Sequence, residues 1–194
     1  MSTENVPLAF GASFLSRNPP TDARIARMAE WGKKLVAAGL APGMAGNLSF
    51  RTRLGFIITG AGVALDAITP ESVSEITGVV YGLNRTSVYV KGPVLPSHET
   101  VLHAQVYEER DDVNAIFHAH DDTITKSAEK AGVPVTVKEQ PAGSLELARE
   151  AISLIKANGG VKYLVLRNHG VVALGGTLDE AGALILEMRK KAGR

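Results

Sequence analysis

Ile25, Met28, Ala29, Leu35 and Val36 recur at helical spacing behind a polar start, and Thr21 or Asp22 can cap the helix they imply. Gly39 should end that helix, with Pro42 and Gly43 marking a loop. Two short apolar runs follow, Leu48-Ser49-Phe50 and Gly55–Thr59, which suit paired strands joined by a polar turn. Thr69-Pro70-Glu71 reads as a cap with proline at the first position of a single helical turn. Strands are expected at 76–81 and 86–90. Ser97 is placed to cap a helix reaching Glu109, with Val101, Leu102 and Val106 on its apolar face. Residues 114–120 read as a buried strand, 122–131 as a helix and Val133–Val137 as another strand. Ser144 opens a helix that Gly159-Gly160 ends, and Lys162–Leu166 returns through the turn Asn168-His169-Gly170 into Val171–Leu174. A last helix at 178–191 turns Leu184, Ile185 and Met188 inward. Residues 1–20 carry no such pattern and end in Asn18-Pro19-Pro20, so they are expected to form an N-terminal arm before a single domain over 21–194. Short strands, tight turns and interspersed helices predict an α/β domain with a mixed or antiparallel sheet between helices.

Composition narrows the function classes. The 194 residues fit one domain, and 45% hydrophobic with 21% charged residues is a globular composition. Lys and Arg number 21 against 20 Asp and Glu, which offers no electrostatic case for nucleic acid or a membrane surface. With no cysteine, disulfide frameworks, zinc ribbons and thiol nucleophiles are excluded, so any metal must be held by histidine and carboxylate. The first 20 residues lack a charged start and a sustained apolar run, and no apolar stretch approaches the length of a membrane span. These features predict a cytoplasmic protein.

Candidate chemistry lies in the histidines. His118 and His120 are two apart in a strand, so their side chains leave the same face with backbones roughly 7 Å apart. That spacing suits two imidazoles on one metal, and it equally suits a pair of core histidines with hydrogen-bonded rings. His169, in a turn between apolar strands, is a third member aimed at a sheet end, and three histidines with an open fourth position form a standard catalytic zinc arrangement. His98-Glu99-Thr100-Val101-Leu102-His103 imitates a metalloprotease helix with one residue too many: positions five apart on a helix differ by about 140°, so His98 and His103 cannot share a metal from one face. Gly60-Ala61-Gly62 lacks the third glycine and the strand-helix context of a dinucleotide site.

Several motifs then occur in a telling order: Gly46-Asn47-Leu48-Ser49; Ile58-Thr59-Gly60-Ala61-Gly62; Pro96-Ser97-His98-Glu99 with His103 and Tyr107; His118-Ala119-His120; and Asn168-His169-Gly170 with Gly176-Thr177-Leu178 and Glu180-Ala181. Across about residues 21–188 the chain resembles the class II aldolase/adducin family. The resemblance implies a three-layer α/β/α sandwich with a central, mainly antiparallel sheet. It also implies a homotetramer with active sites near subunit interfaces. The family spans zinc-dependent sugar-phosphate aldolases, an epimerase, a dehydratase and the metal-free adducins.

By that resemblance His118, His120 and His169 are the ligands of one Zn2+ per chain, or of another divalent metal. Glu99 ligates the resting metal and carries a proton once substrate displaces it. The implied function is aldol cleavage of a small ketose phosphate, or related hydroxy-keto compound, through a zinc-bound enediolate, which makes the chain a zinc-dependent lyase acting on a small molecule. Epimerisation, dehydration or decarboxylation at the same site is the alternative, and an adducin-like binding protein is disfavoured by the intact ligands. Gly46, Asn47, Gly62, Ser97 and His98 match the positions that hold the substrate's phosphate. Ala61, however, replaces a usual hydroxyl residue and His98 a usual serine, which leaves a different acid group open. Relatives take further proton donors from a tyrosine after the His-x-His strand and from a C-terminal tail. The stretch Val133–Gln140 has no tyrosine and the sequence ends at Arg194, so Glu139 or Lys138 stand as substitutes or as plain surface residues.

Overall fold

Residues 10–82 and 85–192 are described by the computed structural model. Eight strands, β1 (Phe10–Ser16), β2 (Asn47–Arg51), β3 (Phe56–Thr59), β4 (Val73–Tyr81), β5 (Thr86–Lys91), β6 (Ala115–Ala119), β7 (Tyr163–Leu166) and β8 (Gly170–Gly175), form one sheet in the order β1-β5-β4-β3-β2-β6-β8-β7. Every neighbouring pair is antiparallel except β1 with β5.

The period-two alternation of the central strands decides the layering. Ala115, Phe117 and Ala119 of β6 and Val171 and Ala173 of β8 join a core with α1 (Arg24–Ala37), α3 (Asp122–Ser127) and α5 (Leu178–Ala192). Ile116, Val172 and Leu174 point to the opposite face and join α2 (Thr100–Glu109) and α4 (Leu145–Ala157). Both faces of the sheet are therefore covered by helices, which is the three-layer α/β/α arrangement with a mainly antiparallel sheet. Trp31 packs edge-on against Phe117 and donates from Nε1 to Asp179 Oδ1 at 2.7 Å, tying α1 to α5 as well as to the sheet.

Four local expectations need correcting. The polar arm is the first: residues 1–9 lie outside the described residues, but Phe10–Ser16 is an edge strand with Phe10 fully buried. The Val133–Val137 strand is the second; only a single parallel bridge, Val135 to Val165, forms there. Third, the helix expected from Ser97 begins at Thr100 with Glu99 at its cap position, because Ser97 is spent on a preceding turn in which its carbonyl accepts from the Thr100 amide and hydroxyl. Fourth, the helix expected over 122–131 runs only from Asp122 to Ser127. The Ser144 cap forms as expected, its hydroxyl accepting from the Leu147 amide at 3.1 Å.

Candidate metal centre

His118 lies on β6, on the face that looks towards α2, and His120 follows just beyond the strand end, its amide donating to Leu40 O at 2.8 Å. His169 sits in the tight turn between β7 and β8. Asn168 takes a left-handed backbone there, φ 54°, which brings the chain round so that the His169 amide donates to Leu166 O at 3.0 Å. Gly170 is required for proximity: a Cβ on it would stand 2.5 Å from Ala119 O and 2.8 Å from His118 Cε1. The three imidazoles thus reach one point from two adjacent strands, their ligating nitrogens all within 4.8 Å of one another.

Glu99, buried at the head of α2, completes the cluster. Its Oε2 lies 3.3 Å from His118 Nε2 and its Oε1 3.2 Å from His169 Nε2, while His118 Nε2 and His120 Nε2 are 3.1 Å apart. Asn47, opposite His118 in the β2–β6 register, donates from Nδ2 to Glu99 Oε2 at 2.8 Å. Burial by itself would raise the Glu99 carboxyl, but the imidazoles of His118 and His169 and the Asn47 amide hold it well below the usual carboxylate range, so it is an anion. Burial pushes His118 down to about 3 and lowers His120 as well, which keeps both rings neutral.

Neutral rings are the ligating form. His118 Nδ1 is 3.0 Å from Val171 O; a carbonyl only accepts, so Nδ1 carries the proton and Nε2 presents its lone pair to the centre. The His118 Nε2–His120 Nε2 and His169 Nε2–Glu99 Oε1 separations, 3.1 and 3.2 Å, are close enough for each pair to share one ion at about 2.0–2.1 Å. Glu99 Oε1 is buried without a hydrogen-bond partner among the described residues, as a ligand oxygen would be. The donor set fits Zn2+ and suits other divalent ions too.

All the substrate-side residues singled out in the sequence meet here. Gly46, Asn47, Gly62, Ser97 and His98 line one cleft of about 360 Å³ together with Glu99 and the three histidines. Gly46 has φ +80°, and a Cβ there would stand 2.7 Å from His118 O, so the loop can pass the end of β6 only as glycine. Ala61 lines the same wall. His103 is not in the cleft: it is buried against Ser49, so His98 and His103 share no ligand set, as their spacing predicts. Met44 and Ala142 also line the cleft, and Glu139 accepts from Asn168 Nδ2 at 2.8 Å beside the His169 turn of its own chain. Sequence patterning missed Met44 and Ala142 because they sit in loops; the one signal was Gly143, whose positive φ accompanies close contact with His98. A larger surface groove of about 640 Å³, lined by Asp22, Arg24, Arg53 and Lys91 among others, includes none of the histidines.

Residues 26–193 match the Class II Aldolase and Adducin N-terminal domain, and the chain belongs to that family. It is 28% identical over 155 residues to the L-fuculose phosphate aldolase of Methanococcus maripaludis, covering 72% of this chain and 77% of the relative. Over 176 residues it is 28% identical to the 5-methylthioribulose-1-phosphate/5-deoxyribulose-1-phosphate aldolase of Rhodospirillum rubrum, covering 82% and 74% respectively. Its fold superposes on a solved L-fuculose 1-phosphate aldolase with a TM-score of 0.74 at 29% identity, covering 90% of this chain and 85% of that one.

Proposed function

We propose that this chain is a zinc-dependent class II aldolase-like lyase that cleaves a small ketose phosphate, or a related hydroxy-keto compound, at the bond between the carbon next to the ketone and the hydroxyl-bearing carbon beyond it, which becomes the aldehyde. The observation that carries the reading is the convergence of three imidazoles and one buried carboxylate on a point in the wall of a cleft. Relatives named as aldolases of fuculose phosphate and methylthioribulose phosphate support the substrate class.

His118, His120 and His169 hold the metal, with Glu99 as the fourth donor of the resting site. Bound there, Zn2+ supplies a Lewis acid against the negative charge that develops on the carbonyl side as the C–C bond breaks. Glu99, the buried carboxylate in the cleft wall, would take or return the proton of the reacting substrate. Gly46, Asn47, Gly62, Ser97 and His98 grip the acid end of the substrate in the same cleft. We further infer a cytoplasmic homo-oligomer, a tetramer with its sites near subunit interfaces, acting on a small molecule and not on nucleic acid or membrane. No described helix is long and apolar enough to cross a membrane.

Deuterium exchange into dihydroxyacetone phosphate, followed by NMR with zinc-loaded protein, tests the reading without the second substrate. Exchange is expected, and it should disappear in Glu99→Gln. Ala61 and His98, which alter the acid-end wall, favour a second reading: epimerisation, dehydration or decarboxylation of a related sugar phosphate or sugar acid. Protein that holds zinc yet exchanges no deuterium points to that reading. Protein that refuses zinc overturns both and returns the adducin-like, non-catalytic role.

A further inference from the structure

β2 and α2 face each other within the layer that also holds α4, a layer built mostly of apolar side chains. Yet a polar row runs through it. The strand contributes Asn47, Ser49 and Arg51, two residues apart, and the helix contributes Glu99, His103 and Tyr107, four apart. Two residues of strand advance about 6.6 Å and four of helix about 6 Å, so the two rows stay in step. Asn47 Nδ2 donates to Glu99 Oε2 at 2.8 Å. Ser49 Oγ stands 2.7 Å from His103 Nδ1 and 2.8 Å from Tyr107 OH. Arg51 Nη2 donates to the Tyr107 carbonyl at 2.8 Å, and its guanidinium lies 4.8 Å from the centre of that ring. Ser49 and His103 are both fully buried.

This row costs stability. His103 Nε2 and Asn47 Oδ1 are buried with no partner among the described residues, and apolar side chains would fill the same volume without the desolvation penalty. What a buried polar network adds is a single permitted alignment. Sliding α2 along β2 by one residue would break every contact in the row and carry Glu99 away from the histidines. We propose that Ser49 and His103 are positioning residues: their hydrogen bond, backed by Tyr107, sets where α2 stands on β2 and so holds the Glu99 carboxylate against His118 and His169. The inference rests on the reading of those histidines as metal ligands, because it is Glu99's place beside them that the row sets.

Cobalt(II) provides the test, since its visible absorption reports donor set and coordination number without turnover. Wild type, Ser49→Ala, Ser49→Thr, His103→Phe and Glu99→Gln are each titrated with Co2+ against a competing chelator, with folding checked by circular dichroism. Ser49→Ala and His103→Phe are expected to bind Co2+ about 10- to 100-fold more weakly than wild type. Their spectra should move towards that of Glu99→Gln, while Ser49→Thr, which keeps the hydroxyl, keeps the wild-type spectrum. Should Ser49→Ala and His103→Phe fail to fold, Tyr107→Phe removes only the outer hydroxyl and is expected to show a smaller shift in the same direction. A folded Ser49→Ala with wild-type affinity and spectrum overturns the inference. A Glu99→Gln spectrum identical to wild type overturns it too, because Glu99 would then not be at the metal. Wild type that binds no Co2+ sinks the metal-centre reading itself, whereas an unchanged Ser49→Ala beside a Co2+-binding wild type sinks the positioning role alone.

Discussion

His118 and His103 are neutral in the folded protein because burial takes their ring protons, leaving them titrating at about 3 and about 4. An unfolded chain exposes the same rings with an ordinary pKa of about 6.5. Above that pH neither state binds these protons and the metal-free protein's stability is flat; below it the unfolded state binds protons that the folded state refuses, so stability falls. The loss is expected to reach at most about 1.4 kcal/mol per pH unit for each ring between pH 6.5 and pH 4. Urea unfolding in the presence of a chelator measures it, and a midpoint unchanged down to pH 5 would show that the rings already carry protons in the fold. The meeting of the three histidines was legible in the sequence, since a His-x-His pair in a strand and a histidine in a tight turn next to it come together at a sheet end. Gly170 was not legible in its role: its lack of a Cβ matters only because β8 passes under the His118 ring. Glu139 was noticed for its chemistry, but its hydrogen bond to Asn168 depends on a loop path that no periodicity encodes.

At the level of elements, strands and helices with strong apolar periodicity were readable, and the misread ones share a physical cause. Phe10–Ser16 alternates, with Phe10, Ala12 and Phe14 turned to the α2/α4 core, but it is an edge strand with one face open and lies next to a polar, proline-rich stretch. Its partner β5 is parallel and some seventy residues away, so neither hairpin geometry nor a turn signal announces the pairing. Val133–Val137 misleads in the opposite sense. Its β-branched residues promise a strand, yet Thr136 Oγ1 accepts from the Arg167 amide and the segment serves as a brace for the end of β7. Phe10→Ala separates an arm from a strand. Buried as it is, Phe10 should cost about 3–5 kcal/mol on truncation. A denaturant midpoint within error of wild type would restore the arm, while a loss of that size with undiminished Co2+ binding would show that β1 stabilises the sheet far from the metal.

The whole molecule explains why ordered motifs revealed more than element assignment did. Residues from all five motifs, carried on β2, β6 and the loops around them, meet in one cleft, so their order in the chain encodes the fold's closure even though sheet order cannot be read from strands this short. Coverage of that sheet is uneven. The core shared by α1, α3 and α5 includes no residue of β1 or β5, and on that side of the sheet Leu15 of β1, Val80 of β4 and Tyr89 of β5 stand exposed. Apolar surface left in water forfeits about 25 cal/mol per Å² that a second copy could recover by covering it. Glu139 beside the His169 turn and Met44 at the cleft rim put the site itself at the protein surface, where a neighbouring chain can approach. Light scattering at micromolar concentration is therefore expected to report a tetramer. If each site is completed at an interface as proposed, activity per chain should fall on dilution through the dissociation range and recover on addition of inactive His169→Ala chains that still assemble. A monomer at micromolar concentration, with full activity, would mean that each cleft works alone and that the exposed apolar face serves some other contact.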